Sequence, residues 1–150
     1  MLSIKDRIQV AWITGAGNGI GRQLAKDLAK NGYAVAVTSR TEEDLISLQD
    51  EVKDLAGDIH LFPCDITDLK KIETLVENIQ TDLGPIDLAI LNAGTYIRFG
   101  VENFSVKLFK EQIEINVMGT VNCLSPIMDT MKSRHRGHIV IVSSLSAYRG

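Results

Sequence analysis

The sequence predicts an α/β fold, a doubly wound parallel sheet with helices on both faces. Three observations predict it. Short runs that are apolar throughout alternate with longer segments whose apolar residues recur at helical spacing. A glycine-rich turn follows the first apolar run and leads directly into a helical segment. The alternation continues over the chain without a repeat, a low-complexity tract or an obvious linker. Strands that are apolar throughout are buried on both faces, and the helices between them make right-handed crossovers. The crossover rule gives an expected strand order of 3-2-1-4-5.

The elements follow in order. QVAWIT (9–14) reads as the first strand. GRQLAKDLAKNG (21–32) reads as a helix with Leu24, Ala25 and Leu28 on one face and Gly32 past its end. YAVAVTS (33–39) is the second strand. The helical segment 41–57 opens on Thr41, with Asp44 at the spacing of a capping contact, and closes on Gly57. IHLFP (59–63) is the third strand, and 67–84 a helix closed by Gly84 and Pro85. IDLAILN (86–92) is the fourth strand. A long helical stretch spans 105–134, with Pro126 expected as a local kink. GHIVIVSS (137–144) is the fifth strand.

Bulk properties narrow the function classes. The length of 150 residues is one domain's worth of chain, 45% hydrophobic and 23% charged, as expected of a water-soluble globular protein. A formal net charge of −3 without a block of like charges argues against nucleic acid or an anionic membrane as partner. Two cysteines, Cys64 and Cys123, make no disulfide framework, and no Cys/His spacing suggests a metal. The N-terminal MLSIKDRIQV lacks a long apolar segment, so neither signal peptide nor anchor is expected. A reducing cytoplasm is the expected compartment.

The chemistry begins at TGAGNGIG, Thr14 to Gly21, between the first strand and the first helix. Glycines here let the chain turn sharply and let the backbone approach a pyrophosphate. They also let the helix pack close to the sheet. The helix N-terminus then offers unpaired N–H groups and a partial positive charge to the phosphates. A strand before and a helix after are the context this motif requires, which is that of a Rossmann dinucleotide-binding domain.

The spacing is Gly-x-x-x-Gly-x-Gly rather than Gly-x-Gly-x-x-Gly. With it the sequence resembles the short-chain dehydrogenases/reductases, whose Thr-Gly-x-x-x-Gly-x-Gly motif is matched by Thr14, Gly15, Gly19 and Gly21. The resemblance continues through Asp65 in PCDIT, Asn92-Ala93-Gly94, Asn116 in INVMGT, and Ser144 closing the fifth strand. It implies that Gly15, Asn18, Gly19, Ile20 and Gly21 cradle a dinucleotide. It further implies that Asp65, with Ile66 beside it, accepts a hydrogen bond from the adenine amino group. The alternative, read locally, is that Asp65 simply starts the next helix with Thr67. Asn92, Ala93 and Gly94 are implied both to support the central sheet and to line the ribose.

The end of the second strand chooses between NAD and NADP. A carboxylate there would bind the free ribose hydroxyl and repel a 2′-phosphate. This sequence has Thr38-Ser39-Arg40 and no acid until Glu42. Ser39 falls where NAD-preferring relatives carry Asp, and the Arg40 guanidinium can grip a phosphate. Asn18, where many NADP-preferring relatives have a basic residue, adds no second vote. NADP(H) is therefore favoured over NAD(H).

In this family a Tyr phenol, tuned by a nearby Lys, passes a proton to or from the substrate oxygen. A Ser orients that oxygen, and an Asn helps hold a water relay. Ser144 matches the Ser and Asn116 the Asn. Tyr148 stands only four residues past Ser144 with no Lys after it, so it is not the family Tyr and is expected as a pocket-wall or packing aromatic. The Tyr-x-x-x-Lys pair, the last strands and the substrate lid are expected beyond Gly150. On this reading the chain covers about the N-terminal three-fifths of a family member. A polypeptide ending there would not turn over. The implied activity is interconversion of a carbonyl and an alcohol on a small organic substrate, in a protein that is a homodimer or homotetramer when full length. The fold also hosts proteins that only bind the cofactor, so a catalytically silent NADP(H)-binding module is the rival reading.

Of the remaining residues, Trp12 is expected in the core and His60 satisfied within its strand. His135 and His138 are expected in a solvated turn. Cys64 is expected near the adenine without being a reactive thiol. Tyr96 and Arg98 lie on the cofactor side, with no role assigned.

Overall fold

Five parallel strands form one sheet in the order β3-β2-β1-β4-β5, the 3-2-1-4-5 arrangement expected from the sequence. The structure is a computed structural model that describes residues 7–145 and 148. At the centre lies β1 (Val10–Thr14), paired with β2 (Ala34–Thr38) and β4 (Ile86–Leu91). The strands β3 (Asp58–Leu61) and β5 (His138–Ile141) pair with β2 and β4 respectively.

The apolar runs are explained by two cores, one on each face of the sheet. Ala11 and Ile13 point toward α1 (Gly19–Lys30) and α2 (Glu42–Glu51), packing with Ala25, Ala29, Leu45 and Leu48. Val10 and Trp12 point the other way, toward α3 (Leu69–Leu83) and the later α5 (Thr120–Ser133). There they meet Ile72, Ile79 and Ile127, each fully buried. Burying a side chain of that size stabilises by about 1.5–3 kcal/mol, so the strand has no polar face to offer. The one polar atom of Trp12 is satisfied: its indole N–H donates to Thr38 Oγ1 at 3.0 Å.

Three segments differ from expectation. The long helical stretch 105–134 is not continuous. It comprises α4 (Val106–Ile113), a π-helical turn over Glu114–Gly119, and α5. Pro126 stands inside α5, and the break in α geometry falls upstream of it, at Asn116. The second helix ends at Glu51 rather than Gly57, and Thr41 makes no side-chain cap. Instead the Thr41 N–H is held by Ser39 Oγ at 3.4 Å, and Gly57 donates its N–H to Ala29 O at 2.8 Å. Finally, β5 closes at Ile141, with Val142 N–H donating to Leu91 O at 3.0 Å, so Ser144 lies past the strand rather than closing it.

The strand order reverses between β1 and β4, the place where open α/β sheets form a crevice beyond their carboxyl ends. Everything below concerns that end of the sheet.

Candidate functional site

The glycine turn is built into the sheet end by contacts that only glycine permits. Gly15 has φ of +67°, and a Cβ on it would stand 2.7 Å from Ala93 Cα. A Cβ on Gly21 would stand 2.3 Å from Gly15 O and 2.5 Å from Asn92 Nδ2. The turn, the first turn of α1 and the end of β4 are therefore in direct contact. Hydrogen bonds lock this junction. Thr14 Oγ1 accepts from the backbone N–H of Asn92 and of Ala93, both at 3.1 Å. Asn92 Nδ2 in turn donates to Thr14 O at 3.2 Å and Gly15 O at 3.1 Å. Of the two roles implied for Asn92, these side-chain contacts are those of support.

Above the junction opens a cleft of about 350 Å³. Gly15, Asn18 and Ile20 line it from the glycine turn, Ser39 and Arg40 from the end of β2. Asp65 and Ile66 line it from the loop after β3, and Asn92, Ala93 and Gly94 from the loop after β4. Gly19 and Gly21 are not among the lining residues; Gly21 is buried beneath the cleft. Asn18 is the N-cap of α1 but makes no side-chain cap, and the first turn carries no acid. The N–H groups of that turn thus keep their partial positive charge. Asp65 Oδ1 accepts from the Thr67 backbone N–H at 3.0 Å and its hydroxyl at 2.9 Å. Beside it the Cys64 thiol donates to Asp65 O at 3.5 Å, and burial pushes this thiol's pKa up. Cys123, more deeply buried, is pushed up to about 12. Neither is a thiolate near neutral pH.

The two residues matched to substrate chemistry stand outside the cleft lining. Asn116 lies in the π-helical turn, with Oδ1 accepting from Thr95 N–H at 2.7 Å and Nδ2 donating to Thr95 O at 2.8 Å. This reciprocal pair ties the turn to the loop after Gly94. Ser144 is exposed beyond β5. Tyr148 is 85% exposed in a turn closed by its N–H on Leu145 O at 3.0 Å. Expected as a pocket-wall or packing aromatic, it joins neither core cluster of the described residues.

Two residues with a part in the site, Arg22 and Asn122, went unread in the sequence, and a third, Asp44, was read only as a capping contact. Arg22 fastens the glycine turn to α2: Nη1 donates to Gly17 O at 3.0 Å and Asp44 O at 2.8 Å. Its Nη2 donates to Ser47 Oγ at 2.9 Å and Glu51 Oε1 at 2.7 Å. Asn122, buried on α5, donates to Ile66 O at 3.0 Å and Thr67 O at 3.2 Å, steadying the loop that carries Asp65. Asp44 lines the cleft from the first turn of α2. A polar residue among apolar helical positions was the available signal for Asn122; Arg22 and Asp44 look like ordinary surface charges. Among the described residues no group of three His, Cys, Asp or Glu is set to hold a metal, and no helix is long and apolar enough to cross a membrane.

The same arrangement recurs in known proteins. The chain is 33% identical over 142 residues to an uncharacterised oxidoreductase of Mycobacterium tuberculosis, covering 91% of this chain and 42% of that protein. It superposes with a TM-score of 0.88 and 28% identity on an alcohol dehydrogenase of the archaeon Thermococcus sibiricus complexed with 5-hydroxy-NADP, covering 96% of this chain and 61% of that one. An NAD+-bound xylitol dehydrogenase superposes with a TM-score of 0.90 and 29% identity, covering 95% and 55%. The chain thus spans roughly half the length of the proteins it resembles. The family model described as short chain dehydrogenase matches residues 9–150, and with the glycine turn, the sheet order and the cleft in agreement, the chain belongs to that family.

Proposed function

We propose that this chain forms the dinucleotide-binding part of an NADP(H)-preferring oxidoreductase that interconverts a carbonyl and an alcohol on a small organic substrate. One observation carries the reading. The glycine turn, stitched to β4 by Thr14 and Asn92, presents the bare N-terminus of α1 to a cleft that also holds Arg40 and Asp65. The cleft suits a dinucleotide: glycine backbone and helix N–H groups face its phosphates, and Arg40 can grip a 2′-phosphate. The side chain of Arg40 makes no hydrogen bond or ion pair with the described residues, which leaves its fork available to a ligand. Asp65 uses Oδ1 on Thr67, and its second oxygen is the acceptor proposed for an adenine amino group.

When bound, the nicotinamide supplies or accepts the hydride. The chain's own residues bind and orient. Gly15, Asn18 and Ile20 seat the pyrophosphate, Gly19 opens the helix beside them, Gly21 lets that helix pack close beneath, and Ile66 borders the adenine. Ala93 and Gly94 let the ribose lie against the backbone. Ser144 is the hydroxyl proposed to orient the substrate oxygen. Asn116 acts by holding the Thr95 backbone, so that the loop above the nicotinamide end keeps its shape. A Tyr-x-x-x-Lys pair, which Tyr148 does not provide, is the required acid/base. An exposed apolar row along α4 and its continuation, Val106, Phe109, Ile113, Val117 and Val121, supports homo-oligomer formation.

The test is a titration of the full chain with NADPH and with NADH, followed by Trp12 fluorescence. Trp12 is a suitable reporter because its indole bonds to Thr38, which lines the cleft. Saturable quenching, tighter for NADPH, together with NADPH oxidation by a carbonyl panel, supports the reading. No saturable quenching by either dinucleotide overturns it; binding without turnover favours the silent module.

A further inference from the structure

Cofactor preference in such a cleft depends on the charges that surround the 2′-position of the adenosine ribose. The end of β2 supplies Ser39 and Arg40, but α2 reaches the same corner. A Cβ on Gly17 would stand 3.0 Å from Ser39 Oγ, 3.1 Å from Asp44 Cβ and 3.2 Å from Asp44 Oδ2. Ser39 and the Asp44 carboxylate therefore close together around the space that Gly17 leaves open. Asp44 and Arg40 both line the cleft.

The position of Asp44 is enforced. Arg22 Nη1 donates to Gly17 O at 3.0 Å and to Asp44 O at 2.8 Å, so one guanidinium clamps the glycine turn to the first turn of α2. The other arm of Arg22 is spent on Ser47 and Glu51. The Asp44 carboxylate itself accepts no hydrogen bond and makes no ion pair with the described residues. Arg22 thus holds Asp44 through its backbone and not through its carboxylate, which lines the same cleft as the Arg40 guanidinium.

We propose that Asp44 is a specificity-determining residue whose carboxylate opposes the 2′-phosphate that Arg40 attracts, narrowing the preference for NADP(H) over NAD(H). The proposal rests on the reading that the cleft binds a dinucleotide. The physical basis is like-charge repulsion between two groups that share one cleft. NAD(H), which lacks the phosphate, is not subject to it. Discrimination by this chain is then a difference between an attractive and a repulsive group on two elements, not a choice made by β2 alone.

The experiment compares NADPH and NADH dissociation constants, by Trp12 fluorescence of the full chain, for the parent protein and Asp44→Asn. Asn keeps the volume and removes the charge. NADPH binding is expected to tighten about five- to tenfold in the variant, while NADH changes less than about twofold. The gain is expected to shrink in high salt, which a packing effect would not do. An unchanged NADPH-to-NADH ratio, or equal tightening of both, overturns the proposal. If Asp44→Asn does not fold, Asp44→Ser gives the same readout. A parent protein that binds neither dinucleotide overturns the function proposed above and this inference with it. A parent that binds both, with an unresponsive variant, overturns this inference alone.

Discussion

The side-chain amide of Asn92 donates to the backbone carbonyl of Gly15 at 3.1 Å, joining the end of β4 to the glycine turn. The same nitrogen serves Thr14 O at 3.2 Å. Asn92→Ala leaves both carbonyls without this donor and is expected to cost about 1–3 kcal/mol of stability. Asn92→Asp is expected to cost more at neutral pH, because a carboxylate then faces two carbonyl oxygens. Urea unfolding of the three proteins should rank them Asn92 above Ala above Asp. A ranking with Asp above Ala would show that volume, not the donor, matters at this position.

Gly21 makes a sharper test of the same junction. A Cβ there meets the backbone oxygen of Gly15 at 2.3 Å, and backbone cannot swing aside as a long side chain can. Gly21→Ala is expected to destabilise by about 1–3 kcal/mol and to abolish measurable dinucleotide binding, since the helix N-terminus must retreat from the turn. Gly32, with open space around the position of a Cβ, serves as the comparison. Its positive φ of 82° makes Gly32→Ala strained locally, without consequence for binding. Equal loss of binding in both variants would sink the argument.

How far the site was legible follows from what kind of signal each part leaves. The glycine turn and the alternation of apolar runs are local patterns, the strand order follows from the crossover rule, and all three are found as the sequence predicts. Ten of the expected binding residues meet at one cleft because strand ends converge by topology. The π-helical turn left no periodic trace, since Glu114–Gly119 keeps helical spacing to the eye while Asn116 trades its place for the Thr95 backbone. Asp44 was read as a helix cap because sequence spacing cannot say that Arg22 pulls the first turn of α2 toward Gly17. Such contacts are set by tertiary packing between elements, and one sequence does not carry them.

Glu51 links this packing to pH. Lys26, and then Arg22, hold its carboxyl at about 2, below the ordinary 4.5. A folded-state pKa below the unfolded one gives stability that is present above pH 4.5 and is lost as pH falls toward 2. The pair is solvent-facing, so the effect is small and weakens with salt. Glu51→Gln is expected to lower the thermal midpoint at pH 6 but to show a shallower fall between pH 4.5 and pH 2.5 than the parent. Parallel curves for the two proteins would remove Glu51 as a source of acid sensitivity.

Asn122 supports the opposite wall of the cleft. Its buried amide donates to Ile66 O and Thr67 O, and no strand or helix ladder serves those carbonyls at that point of the loop. Asn122→Ala is expected to destabilise by about 1–3 kcal/mol, and Asn122→Asp to do no better, since it offers an acceptor to two acceptors. A purely structural role would weaken every ligand alike. A role in holding the Asp65 loop instead weakens ligands that carry adenine. The check is therefore to titrate the Asn122→Ala protein with 2′,5′-ADP and with nicotinamide mononucleotide. The expected outcome is a several-fold loss for the first, with little change for the second. Equal losses would assign Asn122 to the core rather than to the site.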